Sequence, residues 1–422
     1  MVVELINTGS ELMLGRVLNT HQQWLCRRLA DLGYVVSRQV AVPDTGKDIQ
    51  QAVREALTRA DLIITTGGLG PTSDDITRDL IAELLGTTLK EDPATLAQIK
   101  AFFDARKRAM PERTRVQAMI PEGARVLPNP QGTAPGLALH LQPNPFNPAG
   151  KPAWLIMLPG PPRELRPMFD ASVQPLLAEA LPLQHAFVCK TLRTSGIGES
   201  VVEEKIGGLL EPLVREGLKV GYCARPGEVD VRFAGHGIQA EALVAQAERI
   251  ARAQLESHIF GIENDDLETI IVKTLSERKQ TLALAESCTG GLIAHRITNV
   301  PGASAILLAG LVTYSNTSKE KLLGVRSGTL AEHGAVSESV AREMAEGALK
   351  TINSDFAISV TGIAGPSGGS EAKPAGTVFI AVAGPFRTVV VRNYNPYDRE
   401  TFKQITSQQA LELLRRKLAR LR

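Results

Sequence analysis

The chain is poor in several features that would indicate particular kinds of protein. Its 47 basic and 45 acidic residues nearly cancel to a formal charge of +2, so there is no general electrostatic case for binding nucleic acid. Its four cysteines, Cys26, Cys189, Cys223 and Cys288, show neither metal-ligand spacing nor the density of a disulfide framework. Such sparse use of cysteine favours a reducing, cytoplasmic environment.

Long apolar segments are also missing. The start, MVVELINTGSELM, lacks a basic stretch followed by an apolar core, and the longest apolar run, around residues 303–312, is too short to span a bilayer. We therefore expect a cytoplasmic protein that acts on small molecules and does not contact a membrane. Because 422 residues exceed the size of one ordinary core, we expect two or three domains.

What the sequence does contain is most informative at residues 281–298, TLALAESCTGGLIAHRIT. An apolar run from Leu282 to Ala285 leads into a glycine-containing turn and then into apolar residues at helical spacing, which predicts strand, turn and helix. Ser287 would then lie at a helix start, where unpaired N–H groups can hold an anion or stabilise charge on a substrate oxygen. Ser287 is therefore a candidate nucleophile.

A serine nucleophile needs a base, and only His295 and His333 follow residue 258. Residues 303–313 predict a buried strand, with Lys319 in the turn that follows it, 319 − 287 = 32 positions after the serine. That spacing is long enough to return the lysine beside the serine, so we infer a Ser–Lys dyad. To act as a base at neutral pH, the lysine needs a pKa lowered by roughly three units, about 4 kcal/mol, through desolvation or a cationic neighbour.

Other interpretations of these residues stay open. Ser287 could be only a helix cap, and Lys319 could be a solvated member of the charged run KEK. Cys288 is a rival nucleophile, because a thiol at a helix start ionises readily.

The first part of the chain alternates predicted strands and helices, which indicates a parallel sheet with helices on both faces. After the predicted strand at residues 61–66 comes the loop GGLGPTSDDIT, residues 67–77, whose glycines let the backbone approach a phosphate. The carboxylates of Asp74 and Asp75 would repel a phosphate unless a divalent cation lies between. The loop therefore predicts a metal-bound pyrophosphate, although Ser73 or Asp74 could simply cap the helix.

Four C-terminal segments, ESCTGG (286–291), YSNTSK (314–319), VTGIAGP (360–366) and PAGTVFIAVAG (374–384), resemble the nicotinamide mononucleotide deamidase family, a group of amidohydrolases. The resemblance implies that Ser287 attacks the carboxamide, that Lys319 transfers the proton, and that Tyr314 and Thr361 position or polarise the substrate. The implied substrate-binding residues are Gly290, Gly291, Gly362 and, for the 5′-phosphate, Arg399. The family often has a second arginine where Lys403 stands, and no cofactor is expected for this reaction.

Three N-terminal segments, GGLGPTSDDIT, NPQGTAPG (129–136) and LPGPPREL (158–165), resemble the molybdopterin-binding fold family. In the CinA group this fold is associated with metal-dependent hydrolysis of ADP-ribose to AMP and ribose 5-phosphate. The resemblance implies a divalent metal (Mg, Mn or Co) and assigns Asp75 and Asp44 to metal binding or water activation, with Asp74 and Glu11 as weaker candidates. The residues expected to cradle the substrate are Gly67, Gly68, Gly70, Asn129, Gly132 and Thr133. The basic residues Lys47, Arg78 and Arg163 could neutralise phosphate oxygens, but each could equally be a solvated surface charge.

The middle segment, SGIGES followed by GYCARPGEVDVRFAG, resembles the KH-like domain of the CinA group. It lacks a basic clamping GXXG loop, so nucleic acid is not an expected partner. The expected fold is α/β throughout: a parallel-sheet, three-layer domain at residues 1–170, a small α+β KH-like domain at 171–262, and an α/β amidohydrolase domain at 263–422.

Together these resemblances predict a cytoplasmic, homodimeric, bifunctional enzyme of pyridine nucleotide salvage, with nicotinamide mononucleotide and ADP-ribose as substrates. The alternative, from another functional class, is a non-catalytic accessory protein of competence or recombination that senses nucleotides.

Overall fold

The computed structural model describes residues 1–183 and 187–420, which form two compact units that divide between Phe187 and Val188. A continuous helical segment from Pro162 to Ala180 crosses the expected domain boundary at residue 170. The first unit therefore extends to about residue 187. The expected middle and C-terminal domains lie together in the second unit.

A six-stranded sheet with helices on both faces forms the first unit. Its strands, together with a separate antiparallel pair (β4 and β5), are β1 (Val3–Thr8), β2 (Val36–Val42), β3 (Leu62–Thr66), β4 (Leu89–Glu91), β5 (Met119–Pro121), β6 (Arg125–Leu127), β7 (Gly136–Leu141) and β8 (Ala153–Leu158). Its α-helices are α1 (Ser10–Met13), α2 (Thr20–Asp31), α3 (Gly46–Leu57), α4 (Thr77–Leu85), α5 (Pro93–Asp104), α6 (Pro162–Met168) and α7 (Gln174–Ala180). A 3₁₀ turn spans Glu112–Ala118, and a π-helical turn, Phe169–Val173, joins α6 to α7.

The order of the main sheet is β2-β1-β3-β8-β7-β6, parallel from β2 to β8 and antiparallel at β7 and β6. One face packs on α2 and on α6–α7 around Leu29 and Phe169. The other packs on α3 and α4 around Val53 and Ile81. The predicted three-layer α/β domain is confirmed, and it brings the C-terminal ends of its parallel strands to one edge, where such folds bind ligands.

The second unit begins with a four-stranded sheet and two helices, the expected α+β arrangement. Its strands are β9 (Phe187–Ser195), β10 (Lys219–Arg225), β11 (Glu228–His236) and β12 (Ile259–Ile262), in the order β10-β11-β9-β12. Its helices are α8 (Glu199–Arg215) and α9 (Ala240–Leu255), which pack on the sheet around Ile206, Phe233 and Ala247.

The remainder of the second unit is another three-layer α/β domain. Its strands are β13 (Leu282–Glu286), β14 (Leu307–Val312), β15 (Phe356–Gly362), β16 (Thr377–Ala383) and β17 (Val389–Tyr394), in the order β14-β13-β15-β16-β17. Its helices are α10 (Leu267–Arg278), α11 (Leu292–Thr298), α12 (Asn316–Leu323), α13 (Ser327–His333), α14 (Glu338–Ile352) and α15 (Arg399–Ala419). A 3₁₀ turn, Ala303–Ala305, precedes β14, and β13 pairs in parallel with both β14 and β15.

Two local predictions were wrong. The apolar run around residues 303–313 does not form a buried central strand, because β14 lies at the edge of the sheet and leaves alternate residues exposed. Lys319 does not lie in a turn but in α12, which begins at the Ser315 cap. Apolar composition alone could not distinguish an edge strand from a central one.

No helix in the described parts of the chain is both long and apolar enough to cross a bilayer.

Gly347 in α14 allows α12 to pack closely against it. A Cβ atom added at Gly347 would lie 1.8 Å from the Leu323 carbonyl oxygen, at the end of α12. We expect Gly347→Ala to lower the free energy of unfolding by about 1–3 kcal/mol, because the methyl group collides with backbone. Far-UV circular dichroism during urea unfolding is the suitable measurement, since both tryptophans, Trp24 and Trp154, lie in the first unit.

Gly208 in α8 provides the matched control. A Cβ atom there meets nothing within 4 Å, so Gly208→Ala should stabilise the helix by about 0.5–1 kcal/mol. Equal effects from the two substitutions would show that the close approach of α12 to α14 is not important for stability.

Candidate active site

The side chains of Ser287 and Lys319 meet at the C-terminal end of β13. Ser287 follows β13 directly, and its amide donates to the Val360 carbonyl of β15 at 3.0 Å. Lys319 reaches the serine from α12, with 3.2 Å between its Nζ and Ser287 Oγ. Both residues are shielded from solvent, with relative exposures of 1% for Lys319 and 8% for Ser287. The structure therefore brings together the two residues that the sequence analysis paired.

The surroundings of Lys319 favour a neutral amine. Besides Ser287, its Nζ donates to two backbone carbonyls, at 2.8 Å from Thr313 and 3.3 Å from Tyr314. Burial lowers the pKa of Lys319 below the usual lysine value, and the neighbouring Cys288 is a smaller, opposing influence. Two carbonyls can accept the two hydrogens of a neutral amine, which leaves the lone pair for the serine hydroxyl.

Cys288 is unsuited to the role of nucleophile that sequence reasoning left open. Its side chain is buried in the core on the α11 side of the sheet. Burial raises the pKa of the Cys288 thiol to about 12. At pH 7 only about one molecule in 10⁵ would then carry the reactive thiolate, so the helix start does not activate this residue.

Glu286 occupies the helix end that we expected to be available for substrate. Its buried carboxylate accepts hydrogen bonds from the amides of Gly291 (3.0 Å), Ile293 (3.1 Å) and Ala294 (2.8 Å), and from the Thr289 hydroxyl (2.7 Å). The free N–H groups at the start of α11 are thus satisfied within the protein. The prediction that they stabilise a substrate oxygen was wrong, because the adjacent acidic side chain reaches them first.

The glycines of the turn after Ser287 are required by its backbone. Gly290 and Gly291 have φ angles of +64° and +95°, a left-handed region that other residues rarely adopt. Gly362, at the end of β15, is required for another reason, since a Cβ atom there would lie 2.9 Å from the Thr377 carbonyl oxygen. These glycines shape the backbone around Ser287.

Thr361 lies beside Ser287 but its hydroxyl is already used. Glu286 of β13 pairs with Val360 of β15, so the residues that follow them, Ser287 and Thr361, are neighbours. The Thr361 hydroxyl donates to the Ala335 carbonyl at 2.7 Å, so only its oxygen lone pairs remain for a substrate.

A polar, cationic rim borders the buried pair. The Arg399 guanidinium, at the start of α15, donates to the Tyr314 hydroxyl at 2.8 Å and to the Gly365 carbonyl at 3.3 Å. One helical turn further along α15, the Lys403 ammonium lies 3.8 Å from the position of a Cβ atom on Gly290. Lys403 therefore lies beside the turn that follows Ser287, and Arg399 lies beside Tyr314, whose carbonyl accepts from Lys319; both cations are available to an anionic substrate group.

The first unit has a separate cavity of about 560 Å³ at the C-terminal ends of its parallel strands. Gly67, Gly68, Gly70 and Thr133 line it as expected. Carboxylates also line it, namely Glu11, Asp44, Asp74, Asp75 and Glu164, whereas the described lining residues include no lysine or arginine. The cavity would thus repel an anionic substrate that came without a cation.

Asp44 and Asp75 are each held through one carboxylate oxygen. Oδ2 of Asp44 accepts from the Ser10 amide at 2.8 Å, and Oδ2 of Asp75 accepts from the Thr72 amide at 2.9 Å and from the Thr72 hydroxyl. The Oδ1 atoms remain as potential ligands. Within the described ranges no three acidic, histidine or cysteine side chains converge as a metal cluster. Two carboxylates do fit a divalent cation that takes its other ligands from water and substrate phosphate.

Several predicted binding residues play supporting roles instead. Asn129 donates to Glu164 Oε2 and to the Ala134 carbonyl, both at 2.8 Å, and the Glu164 carboxylate packs against Gly132. Neither Asn129 nor Gly132 is among the residues that line the cavity. They hold Glu164, which does line it.

The predicted phosphate-binding cations of this unit are not at the cavity. The buried guanidinium of Arg78 is bound by Asp79 and by the Val116 carbonyl, so its role is structural. Lys47 and Arg163 are exposed and lie outside the cavity lining. Their proximity to the glycine loops in sequence did not translate into proximity in space.

Sequence reasoning missed four residues that the structure places at these sites. Glu286 could have been found, because an acidic residue just before a helix start commonly caps it. Gln117 and His21 line the cavity from distant parts of the chain, and no local pattern marks them, whereas Glu164 lies within the LPGPPREL segment already singled out.

Family models match this chain along nearly its whole length. The "Probable molybdopterin binding domain" matches residues 4–179, the "Damage-inducible protein CinA KH domain" residues 189–261, and the "CinA C-terminal domain" residues 264–418. These matches agree with the three kinds of fold that the structure shows.

Whole-length relatives carry the same family name. The chain is 44% identical over 412 residues to a CinA-like protein of Akkermansia muciniphila, covering 97% of this chain and 95% of that protein. It is 40% identical over 422 residues to a CinA-like protein of Kosmotoga olearia, covering 99% of each. A crystal structure of a competence/damage inducible protein from Agrobacterium tumefaciens is 41% identical, with a TM-score of 0.35, over 35% of this chain and 91% of that one. The chain belongs to the CinA family.

Proposed function

We propose that the second unit is an amidohydrolase that converts nicotinamide mononucleotide into nicotinate mononucleotide and ammonia. The observation that carries this proposal is the buried contact between Lys319 Nζ and Ser287 Oγ, in which a desolvated amine faces a hydroxyl. This arrangement supplies an activated serine without histidine. The adjacent cations, Arg399 and Lys403, suit the phosphate of a nucleotide.

The chemistry follows from these contacts. The neutral amine of Lys319 takes the proton from Ser287 as Oγ attacks the carboxamide carbon. The resulting ammonium returns a proton to the nitrogen as the C–N bond breaks and ammonia leaves. Water then attacks the acyl ester, Lys319 accepts a proton from it, and the serine is released with its proton restored. The carbonyls of Thr313 and Tyr314 hold the amine in place throughout.

The residues that would position the substrate are those of the cationic rim and of the Gly362–Pro366 loop. Arg399 holds the Tyr314 hydroxyl beside the Gly362–Pro366 loop, and Lys403 lies over Gly290. Lysine contributes a point charge and not the planar fork of arginine, so Arg399 is assigned the directional phosphate contact. Because Glu286 uses the amides of α11, the carboxamide oxygen is assigned to the backbone of the Gly362–Pro366 loop.

We assign the first unit a metal-dependent hydrolysis of ADP-ribose to AMP and ribose 5-phosphate. An acidic cavity lined by glycine backbone and by the free oxygens of Asp44 and Asp75 supports this assignment. A divalent cation bound there would neutralise the pyrophosphate and activate water. The chain's own part is to hold the two carboxylates and to let the substrate phosphates approach the backbone of Gly67, Gly68 and Gly70.

The competing proposal is an accessory protein that senses nucleotides without turning them over. Release of ammonia from nicotinamide mononucleotide by the intact chain distinguishes the two, since a sensor would bind the nucleotide and leave it unchanged.

Replacing the two rival nucleophiles separately tests the deamidase. Ser287→Ala should lower kcat by roughly 10³-fold or more, because no other ionisable group replaces the serine oxygen. Cys288→Ala should keep activity within a few-fold, because that thiol stays protonated. Ammonia release measured with an enzyme-coupled assay provides the readout. If the Cys288→Ala protein were inactive and the Ser287→Ala protein active, the nucleophile would be Cys288 and not Ser287.

The lowered pKa of Lys319 predicts a particular pH dependence. The catalytic form is the neutral amine, so kcat/KM should rise with pH and reach its plateau below the usual lysine pKa of 10.5. In Lys319→Met this rise should disappear together with activity.

Stability provides an independent check on the same residue. The folded protein disfavours the protonated amine, so the contribution of Lys319 to the free energy of unfolding increases as pH rises toward 10.5. Lys319→Met should lose this increase while remaining folded. A wild-type chain whose stability relative to Lys319→Met does not change with pH would show that Lys319 titrates normally.

Chelation should separate the two activities. EDTA should abolish hydrolysis of ADP-ribose and leave deamidation unchanged, because only the acidic cavity needs a cation. Asp75→Asn and Asp44→Asn should each lower ADP-ribose hydrolysis by roughly 10²-fold or more and weaken Mn²⁺ binding measured by electron paramagnetic resonance. Asp31→Asn, on the exposed end of α2, is the control for both measurements. ADP-ribose hydrolysis that persists in EDTA would refute the metal assignment.

A further inference from the structure

The C-terminal α/β domain has a further cavity, which lies away from the Ser287–Lys319 pair. Its volume is about 450 Å³, and it is formed by the turn between β16 and β17 together with the last turns of α15. We call it the hairpin cavity. Arg399, which contacts Tyr314 at the candidate active site, and Leu413, which lines the hairpin cavity, are 413 − 399 = 14 positions apart, roughly 20 Å along a helix. The two sites are therefore separate.

One side of the hairpin cavity is apolar. Phe386 and Val389 line it from the β16–β17 hairpin, and Leu413 lines it from α15. Phe386 is 64% exposed and Val389 is 41% exposed, so the described chain leaves much of both side chains uncovered. An exposed phenyl ring offers a face for stacking, and covering it removes apolar surface from water. This side of the cavity suits a flat apolar group.

The other side of the hairpin cavity is positively charged. Arg387, Arg416, Lys417 and Arg420 line it, and no aspartate or glutamate is among the described residues that do so. Arg416 is paired with Glu412. The other three cations form no ion pair with any residue that the structure describes, so their charge is left for a ligand.

The Lys417 ammonium joins the two elements that form the hairpin cavity. It donates to the Val382 carbonyl at 3.0 Å and to the Arg387 carbonyl at 3.1 Å, which ties the end of α15 to the hairpin. An ammonium has three N–H donors, so one is left for a ligand. Burial lowers the pKa of Lys417, and a bound anion would offset the cost of burying this charge.

The position of these cations at a helix end explains only some of them. Basic residues in the last turn of a helix balance the negative end of its dipole, which accounts for Arg416 and Lys417. Arg387 belongs to the hairpin and not to the helix, so the dipole does not explain it. Nor does the dipole explain the exposed Phe386 beside these charges. Unpaired cations next to an exposed ring indicate a ligand that is both anionic and apolar.

We propose that the hairpin cavity binds a small organic anion in which a flat ring is joined to a carboxylate or a phosphate. The ring lies on Phe386, and the anionic group accepts hydrogen bonds from Arg387, Lys417 and Arg420. The volume is within the range of small-molecule sites and exceeds what a bare phosphate needs. The proposal does not depend on either proposed enzyme activity.

Two dyes that differ only in charge test both parts of this ligand. Anilinonaphthalenesulfonate has aromatic rings and a sulfonate, and phenylnaphthylamine has the same rings without the sulfonate. The sulfonate dye should bind the full-length chain, seen as a rise in its fluorescence. It should bind the double variant Arg387→Gln/Arg420→Gln at least tenfold more weakly, because charge-assisted hydrogen bonds are lost. The neutral dye should bind both chains equally, and Phe386→Ser should weaken binding of both dyes.

Competition against the sulfonate dye distinguishes a carboxylate from a phosphate. Displacement by benzoate supports a carboxylate ligand, and displacement by phenyl phosphate supports a phosphate ligand. Inorganic phosphate at the same concentration should displace the dye at least tenfold less effectively than the better of the two ring compounds, because it leaves Phe386 uncovered.

The matched control is Lys273→Gln/Lys350→Gln, which removes two exposed cations from α10 and α14 and should leave dye binding unchanged. Circular dichroism establishes that each variant is folded. Sulfonate-dye binding that is unchanged in Arg387→Gln/Arg420→Gln, or weakened equally in the control, would overturn the proposal. It would also be overturned if neither ring compound displaced the dye, or if inorganic phosphate displaced it equally well.

Discussion

The C-terminal site depends on a buried lysine amine that pairs with no carboxylate in the part of the chain that the structure describes. The hydrogen-bond partners of Lys319 are one hydroxyl and two carbonyls, none of which carries a charge. Taking an ammonium out of water under these conditions is costly, and giving up its proton removes the cost. Several elements must cooperate to hold this amine: the ends of β13 and β14 supply its partners, α12 supplies the lysine, and the close approach permitted by Gly347 places α12 against α14.

Glu286 contacts the turn that carries both candidate nucleophiles, Ser287 and Cys288. Left uncapped, the positive end of α11 would favour ionisation of a thiol at its start. The carboxylate of Glu286 instead satisfies three amides of that helix end, and its negative charge contributes to raising the pKa of Cys288. Burial makes the largest contribution to this rise, so the thiol remains protonated in the core, while the adjacent Ser287 lies beside an amine whose pKa burial lowers. One acidic residue thus caps the helix start and disfavours the thiolate next to it.

Sequence reasoning was most successful for features that a short stretch of sequence specifies by itself. The strand–turn–helix around Ser287 and the fold classes were predicted, because apolar periodicity and glycine positions specify them directly. The place of Lys319 in space could be inferred only from spacing, and its element was predicted incorrectly. The edge position of β14 was missed, since LLAGLV is as apolar as a buried strand and only the sheet order shows that one side is open. Likewise, Arg78 follows a glycine loop in sequence, yet its guanidinium turns away to Asp79 and Val116.

The charged groups at the two candidate sites are opposite in sign. Near Ser287 the positive charge is built into the chain, because α15 places Lys403 beside Gly290 and Arg399 beside Tyr314. The cavity of the first unit contributes carboxylates and glycine backbone but, among its described lining residues, no lysine or arginine. A pyrophosphate can approach Asp44 and Asp75 only if its negative charge is already balanced, and a divalent cation shared between carboxylate and phosphate oxygens does this with few protein ligands. The absence of a three-residue metal cluster in the described chain is therefore compatible with metal chemistry, since the substrate itself would complete the coordination.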